Sequence, residues 1–127
     1  RLTADVDIMF AGDKLNFECF AAVLNELDAK VYTESVPEGL AFDCSAVTLA
    51  RARMWNLVTQ AGRLDIAFEP AGVEGYDDLK KDAERFEAFG VRFLVASLDD
   101  IIRSKEAAGR PKDLDDVAIL RAMKRMK

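Results

Sequence analysis

Apolar residues from Val6 to Phe10 are interrupted by Asp5 and Asp7, a pattern that predicts a strand buried on at least one face. Ala11-Gly12-Asp13 breaks it. Leu15, Cys19, Val23 and Leu27, with Phe20 and Leu24, recur at helical spacing and predict an amphipathic helix over residues 14–28. Lys30 to Thr33 reads as a second strand. A loop follows at Pro37 and Gly39. Trp55 to Thr59 and Leu64 to Phe68 read as strands joined around Ala61-Gly62. Pro70, Gly72 and Gly75 mark another loop, and Tyr76 to Ala83 a short helix.

Arg85 to Ala96 predicts a hairpin turning at Phe89-Gly90. Ser97, with Asp100 three residues on, is a helix start, because a hydroxyl caps a backbone N–H and an acid suits the positive helix end. The helix of residues 98–108 stops at Gly109. Pro111 then opens a last helix, with Leu114, Val117, Leu120 and Ala118 expected inward. There is no repeat and no linker. The pattern predicts one α+β (α/β) domain over residues 1–127, a small mixed sheet flanked by helices and ending in a helical pair.

Composition narrows the chemistry. The 127 residues suit one core. A net charge of −5 disfavours unaided binding to nucleic-acid backbone. The chain has no histidine, which excludes Ser-His and Cys-His nucleophiles and histidine metal sites. Two cysteines, Cys19 and Cys44, are too few for a disulfide framework and lack metal-ligand spacing, so a reduced cytoplasmic setting is expected. No apolar stretch is long enough to span a bilayer. The chain opens at Arg1, directly into a strand-like run, and reads as a piece whose start lies upstream.

Side chains two apart on a strand share a face, so Asp5 and Asp7 are expected together. Two close carboxylates repel one another, and a bound divalent cation relieves that repulsion. Oxygen ligands of this kind suit Mg²⁺, which also takes phosphate oxygens from a substrate. The other reading is a pair of solvated strand residues. Asp65, the single acid in Gly62-Arg63-Leu64-Asp65-Ile66, completes a three-carboxylate cluster if its strand neighbours the first; otherwise it is an exposed strand position.

Arg1-Leu2-Thr3-Ala4-Asp5-Val6-Asp7-Ile8 resembles the metal-binding segment of bacterial nucleotidyltransferase-like proteins of the DNA polymerase β superfamily, among them AbiE-type toxins and minimal nucleotidyltransferases. The resemblance continues through Gly39-Leu40-Ala41-Phe42-Asp43, Gly62 to Ile66 and Gly75-Tyr76-Asp77-Asp78-Leu79. It ends in the distinctive stretch from Val95 through Ser97-Leu98-Asp99-Asp100-Ile101-Ile102-Arg103-Ser104-Lys105 to Arg110-Pro111-Lys112-Asp113-Leu114. The resemblance implies a nucleotidyltransferase fold. Asp5 and Asp7 would be ligands of a two-ion Mg²⁺ site, with Asp65 as third carboxylate and activator of the attacking hydroxyl. It implies Lys105 near the phosphates of a nucleoside triphosphate, with Arg110 and Lys112 adding positive charge. Asp113 and Asp116 match an acidic pair at the start of the last helix; the other reading is helix N-terminal charge. The acceptor would be RNA, protein or a small molecule, with an antitoxin as possible partner. The family's glycine motif, upstream of the paired aspartates, does not stand in this sequence, which leaves an inactive, fold-retaining binding protein as the alternative.

Overall fold

The computed structural model describes residues 5–68 and 70–126; the Arg1 to Ala4 part of the motif and the side chain of Asp5 lie outside the described residues. The chain divides into two compact units, Arg1–Phe68 and Glu69–Lys127. Together they make a mixed α+β architecture, with one sheet in each unit.

The first unit is built on strands β1 (Asp5–Met9), β2 (Lys30–Val31), β3 (Met54–Thr59) and β4 (Gly62–Ala67), with helices α1 (Lys14–Glu26) and α2 (Ala46–Leu49). The sheet order is β1-β4-β3-β2. β1 runs parallel to β4, and the other pairs are antiparallel, so the sheet is mixed as expected. β3 and β4 form a hairpin through Gln60-Ala61, with Thr59 opposite Gly62. Alternation along the strands separates two faces. Ile8, Leu57, Leu64 and Ile66 belong to one of them, and the core of Phe10, Ala21, Leu24, Leu49, Leu57 and Ile66 forms there. Asp7, Asn56 and Asp65 belong to the other.

Of the expected apolar set of α1, Leu24 is buried and Phe20 packs against the core, but the Leu15, Cys19 and Val23 row does not turn inward. Leu15 is 69% exposed and Val23 46%, and Cys19 is exposed too, while Ala21 and Leu24 are buried. The reason is aromatic. Phe10 stacks on Phe20 at 4.8 Å and meets Phe17 edge-on at 5.0 Å, and Phe68 closes the group at 5.3 Å from both Phe10 and Phe17. Burying two phenyl rings removes more apolar area than burying the Leu15 row, and sets the rotation of the helix. α2 is not expected from the sequence, since four residues show no periodicity. It forms because Ser45 caps it, accepting from the Thr48 N–H, and because Trp55 Nε1 donates to the Leu49 carbonyl at 3.0 Å.

The second unit contains α3 (Tyr76–Lys80), the hairpin β5 (Glu84–Ala88) and β6 (Val91–Val95), and helices α4 (Leu98–Ala108) and α5 (Pro111–Arg125). The hairpin turns at Phe89 and Gly90, with φ of 53° and 76°. Positive φ at both central residues matches the twist of the flanking strands. α4 begins where expected: the Ser97 hydroxyl accepts from the Asp100 N–H at 3.1 Å. It ends at Gly109, left-handed at φ 67°, and Pro111 opens α5. Ile102 and Val117 are buried between the two helices' charged rims. Lys124 pairs with Asp99 and Arg121 with Glu106, so the helices run antiparallel. Leu114, expected inward, is 52% exposed, and Ala118 is exposed; Asp113 takes the inward position instead, at 2%. Among the described residues no helix is long and apolar enough to cross a membrane.

Candidate metal-binding face and the cationic cluster

Parallel pairing sets Asp7 opposite Asp65, one register step from the pairing of position 5 with Arg63 counted along one face. Register partners on neighbouring strands lie side by side, about 4.8 Å apart along the hydrogen-bonding direction, and project to the same side. Asp7 and Asp65 therefore stand together on the face turned away from the core. Asp7 is exposed and Asp65 half-buried. The next strand adds Asn56, the register partner of Asp65, also exposed. The Asp5 carboxylate, the expected third member, is outside the described residues. Among the described residues no three His, Cys, Asp or Glu side chains form a metal-holding group. The donor chemistry that is present, two carboxylates on adjacent strands, suits a hard divalent cation such as Mg²⁺.

Arg63 belongs to the same face. It is two residues before Asp65 on β4, and its Nη2 lies 3.5 Å from Asp65 Oδ1. Its guanidinium carbon sits 3.6 Å from the centre of the Tyr32 ring, well inside cation–π range. Arg63 Nε is buried with no hydrogen-bond partner among the described residues. Arg63 is not among the residues expected at the site, although its i, i+2 spacing to Asp65 is the signal the sequence offers.

The loop after β2 closes over this side of the sheet. Gly39 has φ 103°, and a Cβ there would fall 2.5 Å from Lys30 Cβ and 2.7 Å from Val58 Cγ1. Lys30 and Val58 are themselves register partners. Only glycine lets the loop approach so closely.

Lys105, Arg110 and Lys112 belong to the second unit. Lys105 Nζ, near the end of α4, is 3.1 Å from Asp116 Oδ2 and 3.9 Å from Asp113 Oδ1. Arg110 donates to Asp113 through Nε at 2.6 Å and Nη2 at 3.2 Å, and its backbone N–H donates to the same carboxylate. The Arg110 guanidinium holds the Asp113 carboxyl below the usual carboxylate range, and Lys105 adds to this. Asp113 raises Arg110 in turn. Asp113 and Asp116 thus do more than complement a helix end: they gather two of the expected phosphate-binding cations. Lys112 is exposed.

Asp100, expected as helix N-terminal charge, is a second buried acid. Asp100 is 8% exposed, with Oδ1 at 3.2 Å from Arg103 Nη2. The same guanidinium donates to Asp78 Oδ2 at 2.9 Å. Asp78 also accepts from the Glu74 N–H at 2.9 Å, and that bond, with Arg103, lowers its pKa. This network ties α3 to α4.

Compared with models of known protein families the chain matches none, and no curated protein matches it.

Proposed function

We propose that the chain carries the nucleotidyltransferase fold of the DNA polymerase β superfamily and acts as a Mg²⁺-dependent nucleotidyltransferase. The observation that supports this reading is the register of Asp7 with Asp65 on adjacent parallel strands, on the face turned away from the core. Two aspartates in strands are costly by propensity. A shared metal ion would give their juxtaposition a use that strand propensity does not. Asp5, Asp7 and Asp65 would hold Mg²⁺, whose chemistry is to neutralise charge on the phosphates. The acceptor's hydroxyl oxygen bonds to the α-phosphorus of a nucleoside triphosphate, the bond to the bridging oxygen breaks, and pyrophosphate leaves. Asp65 receives the hydroxyl proton. The acceptor is an RNA end, a protein hydroxyl or a small molecule, and an antitoxin is a candidate partner.

The test is transfer of label from α-phosphate-labelled nucleoside triphosphates to RNA and protein fractions, with and without Mg²⁺. Stable label in one fraction, lost in Asp7→Asn, is expected. Label released only as free monophosphate would instead indicate a hydrolase.

One observation favours a second reading, a non-catalytic binding or regulatory protein of the same fold. Lys105 and Arg110, proposed with Lys112 for the phosphates, are already engaged by Asp113 and Asp116. In that reading the cluster serves only to join α4 and α5, and no transfer occurs with any nucleotide.

A further inference from the structure

The metal reading of Asp7 and Asp65 leaves Arg63 unexplained. A cation beside a metal ligand opposes the metal by like-charge repulsion. It is not a mobile surface side chain. The guanidinium stacks on Tyr32 at 3.6 Å, and the side chain is 30% exposed. Its bond to Asp65, at 3.5 Å, is at the long limit for a hydrogen bond. The stack, more than the carboxylate, therefore fixes the guanidinium, and the positive charge stays in place whether or not Asp65 turns to another partner.

Resting on the nucleotidyltransferase reading, we infer that Arg63, clamped by Tyr32, is a positioning residue that keeps the carboxylate face from holding a divalent cation alone and makes it accept the cation together with the nucleotide. In the metal-free protein Arg63 offsets the repulsion between Asp7 and Asp65. A free divalent cation meets a face whose negative charge is already partly cancelled. A cation carried on a triphosphate brings its own negative oxygens, and the guanidinium, with donors matched to phosphate geometry, attracts that complex. The fixed charge thus converts a metal site into a metal–nucleotide site.

The experiment uses Mn²⁺ as the probe, read by loss of its free electron paramagnetic resonance signal, with and without nucleoside triphosphate. For Arg63→Gln, binding of Mn²⁺ alone should tighten by about fivefold or more, the size expected for removing one charge a few ångströms from a divalent ion in a water-exposed site. Binding of the Mn²⁺–nucleotide complex should weaken by a similar factor. Arg63→Lys, which keeps the charge, should bind Mn²⁺ alone like the wild type, and circular dichroism melting verifies folding of each variant. If Arg63→Gln binds Mn²⁺ alone no more tightly than wild type, the inference is overturned while the transferase reading stands. If wild-type protein binds no Mn²⁺–nucleotide complex at all, both fall.

Discussion

Arg110 Nε lies 2.6 Å from Asp113 Oδ2, and the same carboxylate accepts from the Arg110 backbone N–H at 3.3 Å. One buried acid therefore closes the first turn of α5, holds the guanidinium that precedes it and, with Asp116, reaches Lys105 on α4.

Asp113→Ala is expected to lower unfolding free energy by about 2 kcal/mol, the worth of charge-assisted hydrogen bonds to a buried group. The Arg110 side chain is 61% exposed and returns to water, which keeps the loss below that of a fully buried pair. The pH dependence follows from the lowered Asp113 pKa. Its contribution is full above the ordinary aspartate range and fades as pH falls below about 4 toward the folded-state value. Urea denaturation of wild type and variant at pH 7 and pH 3 checks this: the gap in midpoints should shrink at the lower pH. An equal gap at both would contradict the ion-pair account.

Gly39→Ala is expected to destabilise the first unit by at least about 2 kcal/mol. A φ of 103° is strained for any L side chain, and Lys30 Cβ, 2.5 Å from the added Cβ, is anchored in β2 and cannot swing away. Thermal melting followed by Trp55 fluorescence reports on that unit. An unchanged melting temperature would mean that the loop does not hold this approach.

The two thiols are expected to react at different rates. Burial pushes the Cys44 thiol up, and the negative charge of Asp43 adds to it, so little thiolate forms near neutral pH. Cys19 is exposed on α1. A chromogenic disulfide reagent at pH 8 should show a fast and a slow phase, with the slow phase absent in Cys44→Ser. A single fast phase for both would contradict the burial of Cys44.

The elements whose signals are local were legible in the sequence. Ser97, Gly109 and Pro111 mark the ends of α4 and α5, because capping and proline geometry act within a turn. Phe89-Gly90 marked the hairpin for the same reason. Which face turns inward was less legible. Phe20 and Leu24 were legible as inward, whereas the row from Leu15 to Val23 has the right spacing and yet stays outside, because Phe10 and Phe68 supply ring contacts to Phe17 and Phe20. Leu114 lost its inward place to Asp113 because Arg110 and Lys105 neutralise that acid, and a burial pattern based on hydropathy has no term for a satisfied charge. At the candidate site, alternation alone placed Asp65 on one side of its own strand. Its pairing with Asp7 required the parallel β1–β4 register, which crosses more than fifty residues of chain.

In the proposed site Asp7 and Asp65 together bind a divalent cation for a nucleotide. Isothermal titration calorimetry with each nucleoside triphosphate, with and without Mg²⁺, tests it most directly on wild type and on Asp65→Asn. Wild type should bind a nucleotide only when Mg²⁺ is present, and Asp65→Asn should bind it at least about tenfold more weakly, a difference of about 1.4 kcal/mol, with its melting temperature nearly unchanged. Absence of Mg²⁺-dependent binding by wild type, or equal binding by Asp65→Asn, would contradict the claim.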